Sequence, residues 1–155
     1  MSNDIKKLQN ILKYLPLLET DNFGTWIIDR KNDGTPDHPV QVPFVGYSEI
    51  VCQFIADVYD FNDNNEEFEL GRYGEILERN GIEWNSKSMS EADVSSLDEQ
   101  CIMALIMGAV RAERFCDGAL LKFFKDGSIK KWVERLTEIN MHCCADYNGK
   151  EIDDE

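Results

Sequence analysis

The stretch from Cys101 to Val110, Cys-Ile-Met-Ala-Leu-Ile-Met-Gly-Ala-Val, contains no charged residue. Ser96-Leu-Asp-Glu99 lies just before it and reads as a capping box, with the serine oxygen on the N3 amide and Glu99 reaching back. Together these predict a helix that is apolar on every side, and such a helix must be buried on every side. It is too short to span a membrane, which takes about 20 apolar residues. The chain must therefore wrap other elements around residues 97–116, and Gly108 and Ala109 would let one of them approach closely.

The rest of the 155 residues supplies those elements. Ile5, Leu8, Ile11, Leu12 and Leu15 fall at helical spacing over residues 3–15. Ser48 is placed to cap a helix running to about Phe61, with Tyr47, Val51, Phe54, Ile55 and Val58 as its buried stripe. A short helix with Tyr73, Ile76 and Leu77 inward is closed by Gly81, and Asn85 to Ala92 reads as loop. After Asp117-Gly118 come a short apolar helix from Ala119 to Lys125 and a last helix capped by Ser128, with Ile129, Trp132, Val133, Leu136 and Ile139 inward. Thr25-Trp-Ile-Ile-Asp and Val40-Gln-Val-Pro-Phe-Val read as two strands, with the reversal at Asp33-Gly34. Pro43 confines its strand to an edge. The expected fold is mainly α (α+β): a helical bundle around a buried central helix, with a small β-hairpin near residues 24–46. Residues 1–140 form one globular domain, and 141–155 an acidic, flexible tail.

Charge is unevenly spread within a net −14. No Lys or Arg occurs between Asn32 and Gly71, where Asp33, Asp37, Glu49, Asp57, Asp60, Asp63, Glu66, Glu67 and Glu69 stand. From Arg111 to Arg135 the chain is mildly basic. Such a surface repels nucleic acid and anionic membranes, so direct binding to either is not expected. The five cysteines show no CxxC spacing and there is no signal peptide, which points to a reducing cytosol and hence a cytoplasmic protein. No metal or cofactor is expected: His142-Cys143-Cys144 lacks ligand spacing, and neither a phosphate loop nor a dinucleotide fingerprint occurs.

Two groups of residues invite a functional reading. In Arg111-Ala-Glu-Arg-Phe-Cys-Asp-Gly118, a continued helix would put Arg111 and Arg114 on one face, able to clamp a carboxylate or phosphate, with Glu113 and Asp117 on another. The alternative is a structural ion-pair network with acids of the front half. Trp26, Pro43, Phe44 and Tyr47 cluster around the hairpin and either line a ligand or peptide groove or form the hairpin's packing face. His38 sits in the hairpin turn, so a histidine-based catalytic pair has little to draw on, and the reading leans away from an enzyme.

Trp26, Val42-Pro-Phe-Val-Gly-Tyr-Ser-Glu49, Ser95-Ser-Leu-Asp98, Arg111-Ala-Glu-Arg-Phe-Cys-Asp-Gly-Ala-Leu-Leu121 and Gly127-Ser-Ile-Lys-Lys-Trp132 resemble a bacterial family of uncharacterised proteins, domain of unknown function 6508. The likeness covers about residues 8–140, with Arg-Phe-Cys-Asp-Gly its most distinctive part; the His-Cys-Cys segment and the acidic tail lie outside it. It implies a bacterial or phage-borne cytosolic protein and assigns no catalytic residue. The expected function is a non-enzymatic protein-binding or regulatory module that meets a basic partner surface, in its sharpest form a nucleic-acid mimic. The alternative is a small anionic-ligand binder or enzyme built around Arg111, Arg114 and Asp117.

Overall fold

In a computed structural model the chain is described over residues 8–19 and 22–153, with side chains to Met141. It is mainly helical, with seven helices among the described residues and one antiparallel β-hairpin. The helices are α1 (residues 8–12), α2 (Glu49–Asn64), α3 (Tyr73–Arg79), α4 (Ser86–Glu91), α5 (Glu99–Ala112), α6 (Ala119–Lys125) and α7 (Ser128–Asp153). Short 3-10 turns at Leu15–Glu19, Glu66–Phe68, Leu70–Arg72 and Val94–Ser96 link them.

Helix α5 is the centre. Every residue from Cys101 to Val110 is buried, and α2, α3, α6 and α7 all pack on it. Each Leu or Ile withdrawn from water in this way contributes about 1.5–3 kcal/mol. Gly108 admits a neighbour closely: a Cβ there would lie 3.3 Å from the ring of Trp84, whose Nε1 donates to the Gly108 carbonyl at 3.0 Å. The helix begins differently from the expected capping box. Its N-cap is Asp98, whose carboxylate accepts from the Cys101 amide at 2.9 Å. Ser96 belongs instead to a preceding 3-10 turn capped by Asp93. Two overlapping cap signals compete there, and the carboxylate nearer the apolar run starts the helix.

The flanking helices bury the stripes their spacing implies. In α2, Val51, Phe54, Val58 and Phe61 are buried and Ile55 packs against the core from its edge; Tyr47, expected on this stripe, lies instead at the end of the preceding strand. Helix α3 ends as expected at Gly81 (φ 75°), with the Ile82 amide on the Leu77 carbonyl and the Gly81 amide on that of Glu78. The segment expected as loop after Asn85 holds helix α4, nucleated by the Asn85 side chain accepting from the Ser88 amide at 2.7 Å. At the N-terminus Leu8 and Ile11 are buried; Ile5 lies outside the described residues. Helix α7 continues to Asp153, past the end of the apolar periodicity; the side chains of the expected tail beyond 141 fall outside the described residues.

The hairpin is shorter than expected. Strands β1 (Gly24–Ile27) and β2 (Phe44–Tyr47) pair in the register Gly24↔Tyr47 to Ile27↔Phe44. Pro43 stands just outside the ladder, consistent with its missing donor. Between the strands, residues 28–43 form an extended arm that reverses at Gly34 to His38, where Gly34 (φ 89°) donates to the His38 carbonyl and His38 to that of Thr35, both at 2.9 Å.

Candidate interaction surface

The Arg111–Gly118 segment does not continue as a helix. Helix α5 stops at Ala112, and the chain turns through residues 113–118 before α6 begins. The cap residue of α6 is Gly118, which has no side chain to satisfy the first amides. Glu113 takes that role from across the turn: its carboxylate accepts from the Gly118 amide at 3.0 Å and the Leu120 amide at 3.1 Å. Tyr47 completes the arrangement. Its hydroxyl donates to Glu113 Oε1 at 2.5 Å and accepts from the Leu121 amide at 3.1 Å. Burial, reinforced by the adjacent Glu113 carboxylate, holds the Tyr47 hydroxyl well above the usual tyrosine range. Tyr47 and Glu113 thus pin the hairpin to the α5–α6 turn, with their polar atoms committed to each other and to backbone.

Trp26 reaches the same turn. A Cβ on Gly118 would fall 2.3 Å from the Trp26 ring, and Gly118 also has φ 89°. Both facts require glycine at this position. Outside this contact the indole is exposed and forms one wall of a groove of about 400 Å³, with Leu121, Lys122 and Lys125 of α6 opposite.

The other expected site residues are not gathered there. Phe44 is half-buried at the far end of β2. Arg114 and Asp117 are exposed on the turn. Arg111 is half-buried, with its Nε buried and unpartnered. Neither Arg111 nor Arg114 makes an ion pair among the described residues, so the arginines do not answer the acids of the front half. Among the described residues, Lys13 Nζ pairs with Asp57 at 3.1 Å, beside the hydrogen bond from the Tyr14 hydroxyl to the same carboxylate. Of the rear cations, Lys130 pairs with Glu19 at 3.0 Å, and two others bind backbone. Lys131 binds the Ser90 carbonyl at 2.7 Å and Arg135 that of Leu97 at 3.2 and 3.3 Å, tying α7 to the α4–α5 connection.

Among the described residues, no three His, Cys, Asp or Glu side chains are grouped to hold a metal, and no helix is long and apolar enough to cross a membrane. Burial pushes the Cys101 thiol up to about 11, so it is an inert core residue. His38 lies in the arm's reversal and His142 outside the described side chains.

Two surfaces stand out that periodicity does not mark. The first is the arm at 28–43 with the strand that leads into it. Ile27, Ile28, Val40 and Val42 are exposed, Val42 by 74%. Yet the backbone there is held from within. Asp29 accepts from the amides of Lys31, Asn32 and Gln41 at 3.0, 3.1 and 2.8 Å and from the Asn32 side chain at 2.9 Å. Asp33 accepts from the Thr35 amide and hydroxyl at 3.1 and 2.7 Å. These bonds hold the Asp29 and Asp33 carboxyls below the usual carboxylate range. The second surface is a row of rings, Tyr73, Trp84 and Phe115, edge-to-face at 5.4 and 5.7 Å, beside an open groove of about 690 Å³.

The chain belongs to a family of unknown function, DUF6508, whose model matches residues 4–142. No curated protein and no solved structure matches it.

Proposed function

We propose that this member of DUF6508 is a non-enzymatic protein-binding module, and that the arm at residues 28–43 is its docking element. One observation carries the reading: Ile28, Val40 and Val42 are held in water on a backbone already fixed by Asp29 and Asp33. Clustered exposed apolar side chains mark interaction surfaces in soluble proteins. A loop ordered before binding loses little entropy when a partner arrives. The acids that begin on the arm with Asp33 and Asp37, in a stretch without Lys or Arg to residue 71, favour a partner with a basic surface. Tyr47 and Glu113 support the reading from below, since they fix the hairpin's base to the bundle.

The test is retention at low salt on immobilised domain, with the native chain beside the Ile28→Ser/Val42→Ser variant. Basic proteins held by the native chain and released by the variant are the expected result. Equal retention on both, or retention of nothing basic, would end the proposal. A second reading, an anion site at Arg111 and Arg114, is favoured by the buried, unpartnered Arg111 Nε. It expects phosphate or a dicarboxylate to raise the melting temperature of the native chain and not of Arg111→Gln.

A further inference from the structure

Trp84 is an exposed aromatic held by a hydrogen bond of its own ring. Its Nε1 is tied to the Gly108 carbonyl, and its ring lies against the glycine face of α5, yet it remains 41% exposed. Tyr73 meets its ring edge-to-face. Phe115 does so too, from the α5–α6 turn, with 74% of its surface in water. The adjoining groove has Gly81 and Ile82 in its lining and three carboxylates around it, Glu75, Glu78 and Glu83. Arg72 lies 3.6 Å from Glu75, and Arg79 stands on α3 between Glu78 and Gly81 but does not line the groove. Glu83 accepts from the Asn85 side chain at 3.1 Å, and neither Glu78 nor Glu83 makes an ion pair among the described residues. Lys87 and Arg114 occur on neighbouring segments but do not line the groove.

We propose that this groove binds a basic segment of a partner protein, with a Lys or Arg stem laid along Trp84 and Phe115 and its charge among Glu78, Glu83 and Glu75. The chemistry matches on each count. A long basic side chain packs its methylenes on apolar surface while the charged head stays at a polar rim. The head gains from an aromatic face as well as from carboxylates. An acidic rim excludes anionic ligands, and the open groove with Phe115 beyond it is larger than one ammonium group needs. The proposal rests on the reading of this domain as a binder of basic proteins but places the contact on a surface separate from the arm.

The experiment titrates the domain with a short oligo-lysine peptide and follows the three tryptophan indole N–H signals by NMR. The signal of Trp84, assigned with Trp84→Phe, is expected to move, and that of Trp132 to stay. Glu78→Gln/Glu83→Gln should weaken the peptide by roughly threefold to tenfold, the scale of two exposed ion pairs, and ~1 M salt should abolish the shift. Phe115→Ser should weaken it too while its thermal melt stays native. An unmoved Trp84 signal overturns the proposal, as does an unchanged affinity in the double variant. So does spermidine shifting Trp84 as strongly as the peptide at equal concentration, since that would make the site one for free polyamines. The arm variant Ile28→Ser/Val42→Ser should bind the peptide normally. If it does while losing its retained proteins, both readings stand; if the groove fails alone, the arm is unaffected.

Discussion

Helix α5 and the hairpin arm both carry apolar side chains, and they place them in opposite surroundings. From Cys101 to Val110 each residue is enclosed, and the polar backbone is satisfied by the helix itself. In the arm, Ile28, Val40 and Val42 stand in solvent, and the backbone is satisfied by two aspartates, Asp29 and Asp33. Side-chain burial therefore holds one region and polar bonding the other. The difference teaches where stability and recognition reside: a change in α5 should be felt by the whole fold, and a change in the arm by a partner.

Leu105→Asp breaks the comparison at its strongest point. It is expected to cost at least ~4 kcal/mol, a leucine's lost burial with an unpaired charge added, and to unfold a domain of ordinary stability; circular dichroism would show it. A native melt would mean that α5 is not the centre. Next in size is Gly118→Ala, which meets both the positive φ and the Trp26 ring. It should cost about 2–3 kcal/mol by denaturant titration, and Gly118→Ala/Trp26→Ala should recover the part due to the clash. Tyr47→Phe removes the hydroxyl that serves Glu113 and the Leu121 amide and should cost about 1–2 kcal/mol. It also has a pH signature. Because the folded state raises the Tyr47 pKa above that of the unfolded chain, its contribution is complete below about pH 10 and is lost as pH rises further. The native chain should therefore lose stability in alkali more steeply than Tyr47→Phe, as read from urea midpoints. Tyr14, raised likewise by burial and Asp57, leaves a residual slope in that variant.

The arm gives the smallest effect on global stability. Asp29→Ala should leave the melting temperature within error and speed amide exchange at Lys31, Asn32 and Gln41. Asp29 has the opposite sign to Tyr47: its carboxyl is depressed by its hydrogen bonds, so the order it gives is present above about pH 4 and lost as pH falls. A melt that dropped with Asp29→Ala would show the arm to be part of the core.

The central helix, the stripe of α2 and the Gly81 stop were legible in the chain because each depends on neighbours three or four residues apart. What was hidden depends on partners far along the sequence. Glu113 reads as sharing a helix face with Asp117, apart from the two arginines; it becomes a cap only because Gly118 lacks a side chain and Tyr47 arrives from the hairpin. Trp84 precedes a helix cap at Asn85 that is easily taken for loop, and its partners, Tyr73, Gly108 and Phe115, lie on three other segments. Of the six candidate site residues, Trp26 and Tyr47 meet at the α5–α6 turn, and Arg114 and Asp117 remain in solvent.

The bond between Tyr47 and Glu113 spans 66 positions of chain. Helix α6 is only seven residues long, too short to persist alone, and its first amides are satisfied by those two side chains. We expect α6 to mature late in folding, after a long loop has closed to seat the hairpin. In pulse-labelling during refolding, the Leu120 and Leu121 amides should gain protection together with strand β2 and after the middle of α5, making them clocks for the hairpin's arrival.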